Sequence, residues 1–188
     1  MNRIILLLAC LSLPAISARA EKIDLGAGKS LHLVLPEAWT ATDVAAPDGA
    51  PVMGKTARFV TKSGSNDAVL ITVLPVPDER FNDVESLKAL AGEAMEQFAS
   101  GSVEGKTDLK EFKIGGVTGY YATFTDANLV GKPSIKEDYK TVTSCFAYLG
   151  EHVLVTATVF SDDVAGKTYA EGMRIVKSLS LDLPKNSL

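Results

Sequence analysis

Two strand-like segments, residues 136–149 and 152–161, meet at Gly150-Glu151, and no other feature restricts the fold of this chain as much. A hairpin of this length demands an antiparallel sheet, because side chains alternate between faces with a period of two. A two-residue turn at 150–151 sets Leu149 opposite His152 and so assigns both faces. Val142, Ser144, Phe146 and Tyr148 then join Val153, Val155, Ala157 and Val159 on the core side. Thr141, Thr143 and Cys145 join Thr156 and Thr158 on the other side. This threonine face is expected to be wet or covered by a partner, which makes it the candidate binding surface. Cys145 on it should be less buried than a lone cysteine usually is.

The rest of the chain supplies further strands and two helices. Residues 31–35 alternate and stop at Pro36, and residues 56–62 and 68–74 form a second hairpin around Ser63-Gly64-Ser65-Asn66-Asp67. Pro75 and Pro77 end that hairpin. Residues 109–114 run to Gly115-Gly116, and 117–126 come next with Tyr120, Tyr121 and Phe124. Between 83 and 100 the period changes: Val84, Leu87, Leu90, Ala91, Ala94, Met95 and Phe98 recur at helical steps. Asn82 with Glu85 reads as a capping box for this helix, and Gly101 as its stop. A second helix is expected over about 163–178, capped by Ser161 or Asp162, with Val164, Met173, Val176 and Leu179 as its apolar contacts. The predicted fold class is α+β, an antiparallel β-sheet packed by two main helices in a single domain over residues 21–188. The glycine- and proline-containing loops 40–55 and 127–135 are places where recognition could sit.

The first twenty residues read as an address. Arg3 is followed by the apolar run Ile4–Leu13, broken only by Ser12; then come Pro14 and the small-x-small triplet Ala18-Arg19-Ala20. This predicts a signal peptide over 1–20, cut after Ala20, and a periplasmic or secreted protein. The run is too short for a membrane span, which needs about 20 apolar residues. Leu7-Leu8-Ala9-Cys10 looks like a lipoprotein box, but cutting there leaves only Ile4–Ala9 as the apolar region, so a lipid anchor at Cys10 is not expected. Losing Arg3 and Arg19 lowers the net charge from −4 to −6 and leaves Cys145 as the only cysteine. An acidic chain of this kind has no basic surface for nucleic acid, and one thiol cannot form an internal disulfide.

Several motifs have a chemical reading. Gly49-Ala-Pro-Val-Met-Gly54-Lys55-Thr56 has the literal spacing of a phosphate-binding loop, but Ala57–Val60 reads as strand where a helix is required, and Pro51 removes a cradle N–H. Gly26-Ala-Gly28-Lys29-Ser30 lacks the first glycine of that pattern. His32 and His152 lack the short spacing of a zinc pair, and Cys145 as a nucleophile would need a base and a depressed pKa. Asp162-Asp163 suits a helix start, and Glu137-Asp138 a solvated strand edge. Trp39 has two readings: a plug in the core where the chain leaves the sheet, or an exposed anchor for a partner. No catalytic, cofactor-binding or metal residues are expected.

Three segments carry a resemblance: Leu35-Pro36-x-x-Trp39 after a strand, Phe112-x-Ile114-Gly115-Gly116-x-x-Gly119-Tyr120, and Met173-x-Ile175-Val176-x-Ser178-Leu179. Over residues 29–181 the chain resembles PsbP-like domains, the fold of the extrinsic photosystem II subunit, and the DcrB-like envelope proteins of bacteria. The resemblance implies a sheet flanked by helices and a non-enzymatic accessory or binding role. DcrB-like members are usually lipoproteins, whereas this leader reads as one cut by ordinary cleavage. No position matches the plant subunit's ion-binding residues, and none is carried over.

The expected function is therefore an exported, periplasmic, non-catalytic protein that binds another envelope or secreted protein. Two alternatives stand beside it: an inhibitor or immunity protein against a secreted toxin, and an enzyme whose dispersed site uses Cys145, His32 or His152.

Overall fold

A computed structural model of the chain describes residues 18–42, 54–77 and 79–184. Most of the leader, Cys10, residues 43–53 of the first loop and the larger part of the Gly49–Thr56 match lie outside the described residues.

Ten strands and two α-helices succeed one another in the described chain: β1 (Ala18–Gly26), β2 (Lys29–Pro36), β3 (Trp39–Thr42), β4 (Lys55–Thr61), β5 (Ala68–Pro75), α1 (Val84–Ala99), β6 (Lys110–Ile114), β7 (Val117–Thr125), β8 (Thr141–Tyr148), β9 (Val153–Ser161), α2 (Lys167–Lys177) and β10 (Ser180–Asp182). A seven-stranded sheet has the order β3-β4-β5-β9-β8-β7-β6, and β1-β2-β10 form a separate three-stranded sheet; every pairing is antiparallel. The architecture is mostly β, with two helices against antiparallel sheets. The sequence signals for β2, β4, β5, β6, β7 and α1 fall on observed elements within a residue or two. Lys55–Thr61 is a strand, so Gly54 does not lead into the helix that a phosphate-binding loop requires.

One face of the large sheet is sealed. Leu31, Leu33 and Leu35 of β2, with Ile175, Val176 and Leu179 of the α2 region, pack on Val69, Ile71, Val155 and Val159, and each is at most 1% exposed. Trp39 is completely buried in this layer, so it is the core plug and not an anchor. Its Nε1 donates to Glu171 Oε2 at 3.0 Å, and Glu171 Oε1 lies 3.7 Å from Lys167 and 3.8 Å from Arg174. The indole thus supplies a hydrogen bond to a carboxylate that is itself buried. Gly172 lets α2 approach this closely, since a Cβ there would stand 2.9 Å from Val159 Cγ1 and 3.2 Å from Val69 Cγ2.

The opposite face carries a second, smaller core. Leu87, Ala91, Met95 and Ala99 of α1 pack on Tyr120, Ala122, Phe124, Tyr148 and Leu154. The cap of α1 is Asp83, one residue after the expected Asn82, and its carboxylate accepts from the Ser86 N–H at 2.9 Å. The second helix begins at Lys167, four residues later than expected. Asp163 holds the intervening turn instead, accepting from Ala165 N at 2.9 Å and Gly166 N at 3.1 Å, and it leaves Val164 exposed.

The central correction concerns the threonine face. Leu149 N donates to Val153 O and Val153 N to Gly150 O, both at 2.9 Å, which closes a turn of three residues, 150–152, where two were expected. The register moves by one: Cys145 pairs with Ala157, and Phe146 with Thr156. One step is enough to send a whole strand's side chains to the other side. Thr141, Thr143 and Cys145 therefore join Val155, Ala157 and Val159 on the sealed face, and all three are buried. Phe146 and Tyr148 join Leu154 and pack with the α1 core. The expectation allowed one core face; in this region the sheet is buried on both, and both sets of residues in β8 are needed.

Candidate functional site

Of the expected binding face, only Thr156 and Thr158 remain on a solvent-reaching surface. Cys145 is 1% exposed, and burial pushes its thiol up to about 12. A thiol so placed is protonated at any ordinary pH and is out of reach of a substrate, so it is no nucleophile. The buried Thr143 hydroxyl is satisfied by Thr123 Oγ1 at 2.9 Å and Tyr169 OH at 3.0 Å. His32, on β2, has its Nε2 3.1 Å from Ser30 Oγ and 3.5 Å from Asp182, while His152 lies in the β8–β9 turn. Among the described residues no cluster of three or more His, Cys, Asp or Glu could hold a metal ion, and no helix is long and apolar enough to cross a membrane.

What the structure assembles in place of the expected face is a half-open stretch of the large sheet. Helix α1 covers β7 and β8 but leaves the side formed by β3, β4, β5 and β9. Across it, Thr56 pairs with Thr72 and Thr72 with Thr156, so three threonines stand in one row on neighbouring strands. The adjoining row is Thr42, Arg58, Leu70 and Thr158. Their side chains are half-buried or exposed, and the hydroxyls of Thr56 and Thr72 are 3.1 Å apart. Threonine fits a pleated surface through its β-branch and keeps a donor and acceptor for solvent or a partner.

One end of this surface is closed by residues 126–140. Tyr139 stacks on Phe160 with ring centroids 4.7 Å apart, and Arg58 Nη2 donates to Tyr139 OH at 2.9 Å. Two side chains organise the loop from below. Asn66 Nδ2 donates to Ile135 O and Asp138 O while its Oδ1 accepts from Glu137 N at 2.9 Å. Asp162 accepts from Lys140 N at 3.0 Å, from Asn66 Nδ2 and from the Ser134 hydroxyl. Partial burial works against ionisation of Asp162, but the bonds from Ser134, Lys140 and Asn66 outweigh it and hold the carboxyl below its ordinary range. These contacts take the backbone that was expected to extend β8 from 136, so the strand starts at Thr141 and Glu137-Asp138 lies in a turn.

A cleft of about 380 Å³ opens at the opposite end of the strands. Leu25, Val73 and Val153 line its floor, and Lys29, Lys55, Glu151 and His152 its rim. The β8–β9 turn forms one wall and is strained: Glu151 and His152 have φ of 51° and 63°. The left-handed region costs a residue with a Cβ about 1–2 kcal/mol. Four contacts hold the turn there. His152 N donates to Tyr148 OH at 3.1 Å, Val76 N to His152 O at 2.9 Å, and Lys29 Nζ reaches Glu151 O at 3.1 Å and its Oε2 at 3.6 Å. Lys55 Nζ donates to Asp24 O across the cleft. The Asp24 carboxyl is held below its usual range by the Gly26 N–H first and the Lys55 charge second.

Beyond Thr156 and Thr158, neither region was legible as a site in the sequence. The threonine row draws on strands far apart in the chain, and the cleft joins residues from 25 to 153. The one local signal was the Gly150-Glu151 turn, which speaks of loop length and not of the wall it forms.

No family model matches the chain, and a search of curated proteins finds no match. Among solved structures it is similar to cyanobacterial PsbP (CyanoP) from Synechocystis sp. PCC 6803, with a TM-score of 0.54 at 11% identity over 93% of this chain and 98% of that one. It is also similar to a mutant form of the protein Mog1, at a TM-score of 0.48 and 14% identity over 90% and 98% of the two chains. The Saccharomyces cerevisiae Ran-binding protein Mog1p comes next at 0.45 and 14%, over 87% and 95%. The first likeness shows a PsbP-like fold.

Proposed function

We propose that this chain is an exported, non-catalytic binding or accessory protein of the bacterial periplasm, of the DcrB-like kind, that docks another envelope or secreted protein. The observation that carries this reading is the half-open side of the large sheet beyond α1. Rows of threonine, with Leu70 and the single charge of Arg58 among them, spread over neighbouring strands, and a broad surface of this kind suits a folded protein better than a small molecule. The reading also rests on the signal-like leader, with cleavage after Ala20, and on the accessory role that the family resemblance implies. Export would remove Ala18, Arg19 and Ala20, which pair with Pro36, Leu35 and Val34 at the end of β1, and would leave β2 held by residues from Glu21 onward.

A photo-crosslinking residue in place of Thr158, compared with one in place of Lys110 on the far edge strand β6, tests the reading in native envelope preparations. Thr158 adducts with one protein, absent from the Lys110 sample, are the expected result. Equal labelling from both positions, or adducts from neither, contradicts it.

A further inference from the structure

The cleft at the β8–β9 turn supports a ligand site that is independent of the sheet surface. Its volume, about 380 Å³, falls in the range of sites for small molecules. Its floor is aliphatic and anchored in the core, with Val73 5% and Val153 6% exposed. Two ammonium groups reach its rim from different strands, and neither is fully occupied by an acid. Lys55 Nζ is fixed by a neutral carbonyl, that of Asp24, and an ammonium has three donors. Lys29 Nζ is tied to Glu151, the only acidic side chain among the described residues of the lining. The nearby Asp24 carboxylate is turned to Gly26 N, 2.9 Å away. Among the described residues of the lining two lysines thus stand against one glutamate above an apolar floor, with the Asp24 carboxylate near Lys55 but bonded to Gly26 N. The wall beside it is a turn held in a costly backbone conformation by Tyr148, Val76 and Lys29, the kind of strain that proteins concentrate at ligand clamps.

We infer that this cleft binds a small amphipathic anion, a monocarboxylate with a short aliphatic body, its chain on Leu25, Val73 and Val153 and its carboxylate between Lys29 and Lys55. A neutral or cationic head on the same chain lacks that pairing and should bind worse.

The test is titration of the purified chain with decanoate, decanol and decylammonium at low salt, followed by calorimetry and by amide chemical shifts. Saturable decanoate binding is expected, with shifts at Val73, Glu151 and Val153, at least tenfold tighter than either analogue. Lys55→Met and Lys29→Met, each checked for an unchanged melting temperature, should each weaken decanoate at least fivefold and leave decanol unaffected. If one of them is destabilised, Lys55→Arg replaces it and should retain binding. Decanol binding as tightly as decanoate, decanoate affinity unchanged in both lysine variants, or no saturation by any of the three overturns the inference. None of these outcomes touches the protein-docking surface.

Discussion

The two faces of the seven-stranded sheet are built from the same strands and meet opposite fates. On one, α2 and the three-stranded sheet together cover the aliphatic residues from β4 to β8, and Trp39 fills the space that remains. On the other, α1 with Val76, Phe81 and Leu109 covers β7, β8, the start of β9 and the end of β5 at Leu74, and the rest of β4, β5 and β9 keeps threonines where the sealed face has valines. Alternation by itself says that the two faces differ. Which face is sealed, and how far, depends on where the helices land.

Substitutions can break this contrast, and the largest effect belongs to the sealed face. Trp39→Ala should lower stability by about 3–5 kcal/mol in urea unfolding, since it opens a large cavity and strips the buried Glu171 of a donor. Thr156→Ala on the open half should stay within about 0.5 kcal/mol of the parent. Gly172→Ala comes next, at about 1–3 kcal/mol, because Val159 and Val69 have little room to yield to a new Cβ.

A third difference is chemical. Cys145 should react with a thiol reagent at pH 8 only at the rate of global unfolding, whereas a cysteine placed at Thr158 should react in the folded state. The raised Cys145 pKa gives a pH dependence of known sign. The unfolded thiol ionises near pH 8.5 and the native one near 12, so the unfolded state loses its proton first. That contribution is intact below about pH 8.5 and is lost as pH rises toward 12; Cys145→Ala should flatten the decline measured by urea midpoints.

The smallest expected effect is at the loop that closes the open half. The Asp162 carboxyl is held below its ordinary value, so its contribution is present above the unfolded pKa, near 4, and fades as pH falls below it. Asp162→Asn should remove that acid-side loss and raise amide exchange in residues 134–140 with little change elsewhere.

Much of the fold was legible because period and punctuation agree. Leu87, Ala91 and Met95 can only face a core together as a helix, although Val84 and Phe98 at the two ends of the expected apolar face stay exposed, and Ser63–Asp67 can only be a turn between 56–62 and 68–74. The register of the last hairpin was not legible, because Gly150-Glu151 satisfies the rule for a two-residue loop and nothing local shows that His152 also adopts positive φ. The resulting slip misplaced Thr141, Thr143 and Cys145, while Thr156 and Thr158 kept their surface. Strand β1 has a readable signal in the alternation of Lys22, Ile23, Asp24 and Leu25, but the triplet Ala18-Arg19-Ala20 directly before it, read as a cleavage site, masks the start of the pattern. Strands β3 and β10 are four and three residues long, too short to show a period.

The most direct test of the contrast between sealed and open faces is capture from the native envelope fraction with three forms of the chain: the parent, Thr72→Glu in the middle of the threonine row, and Lys110→Glu on β6. All three should fold alike by circular dichroism. One protein recovered in stoichiometric amount with the parent and Lys110→Glu, and lost with Thr72→Glu, is the predicted result. A partner retained by Thr72→Glu, or none recovered by the parent, would contradict the assignment of the open face as the docking surface.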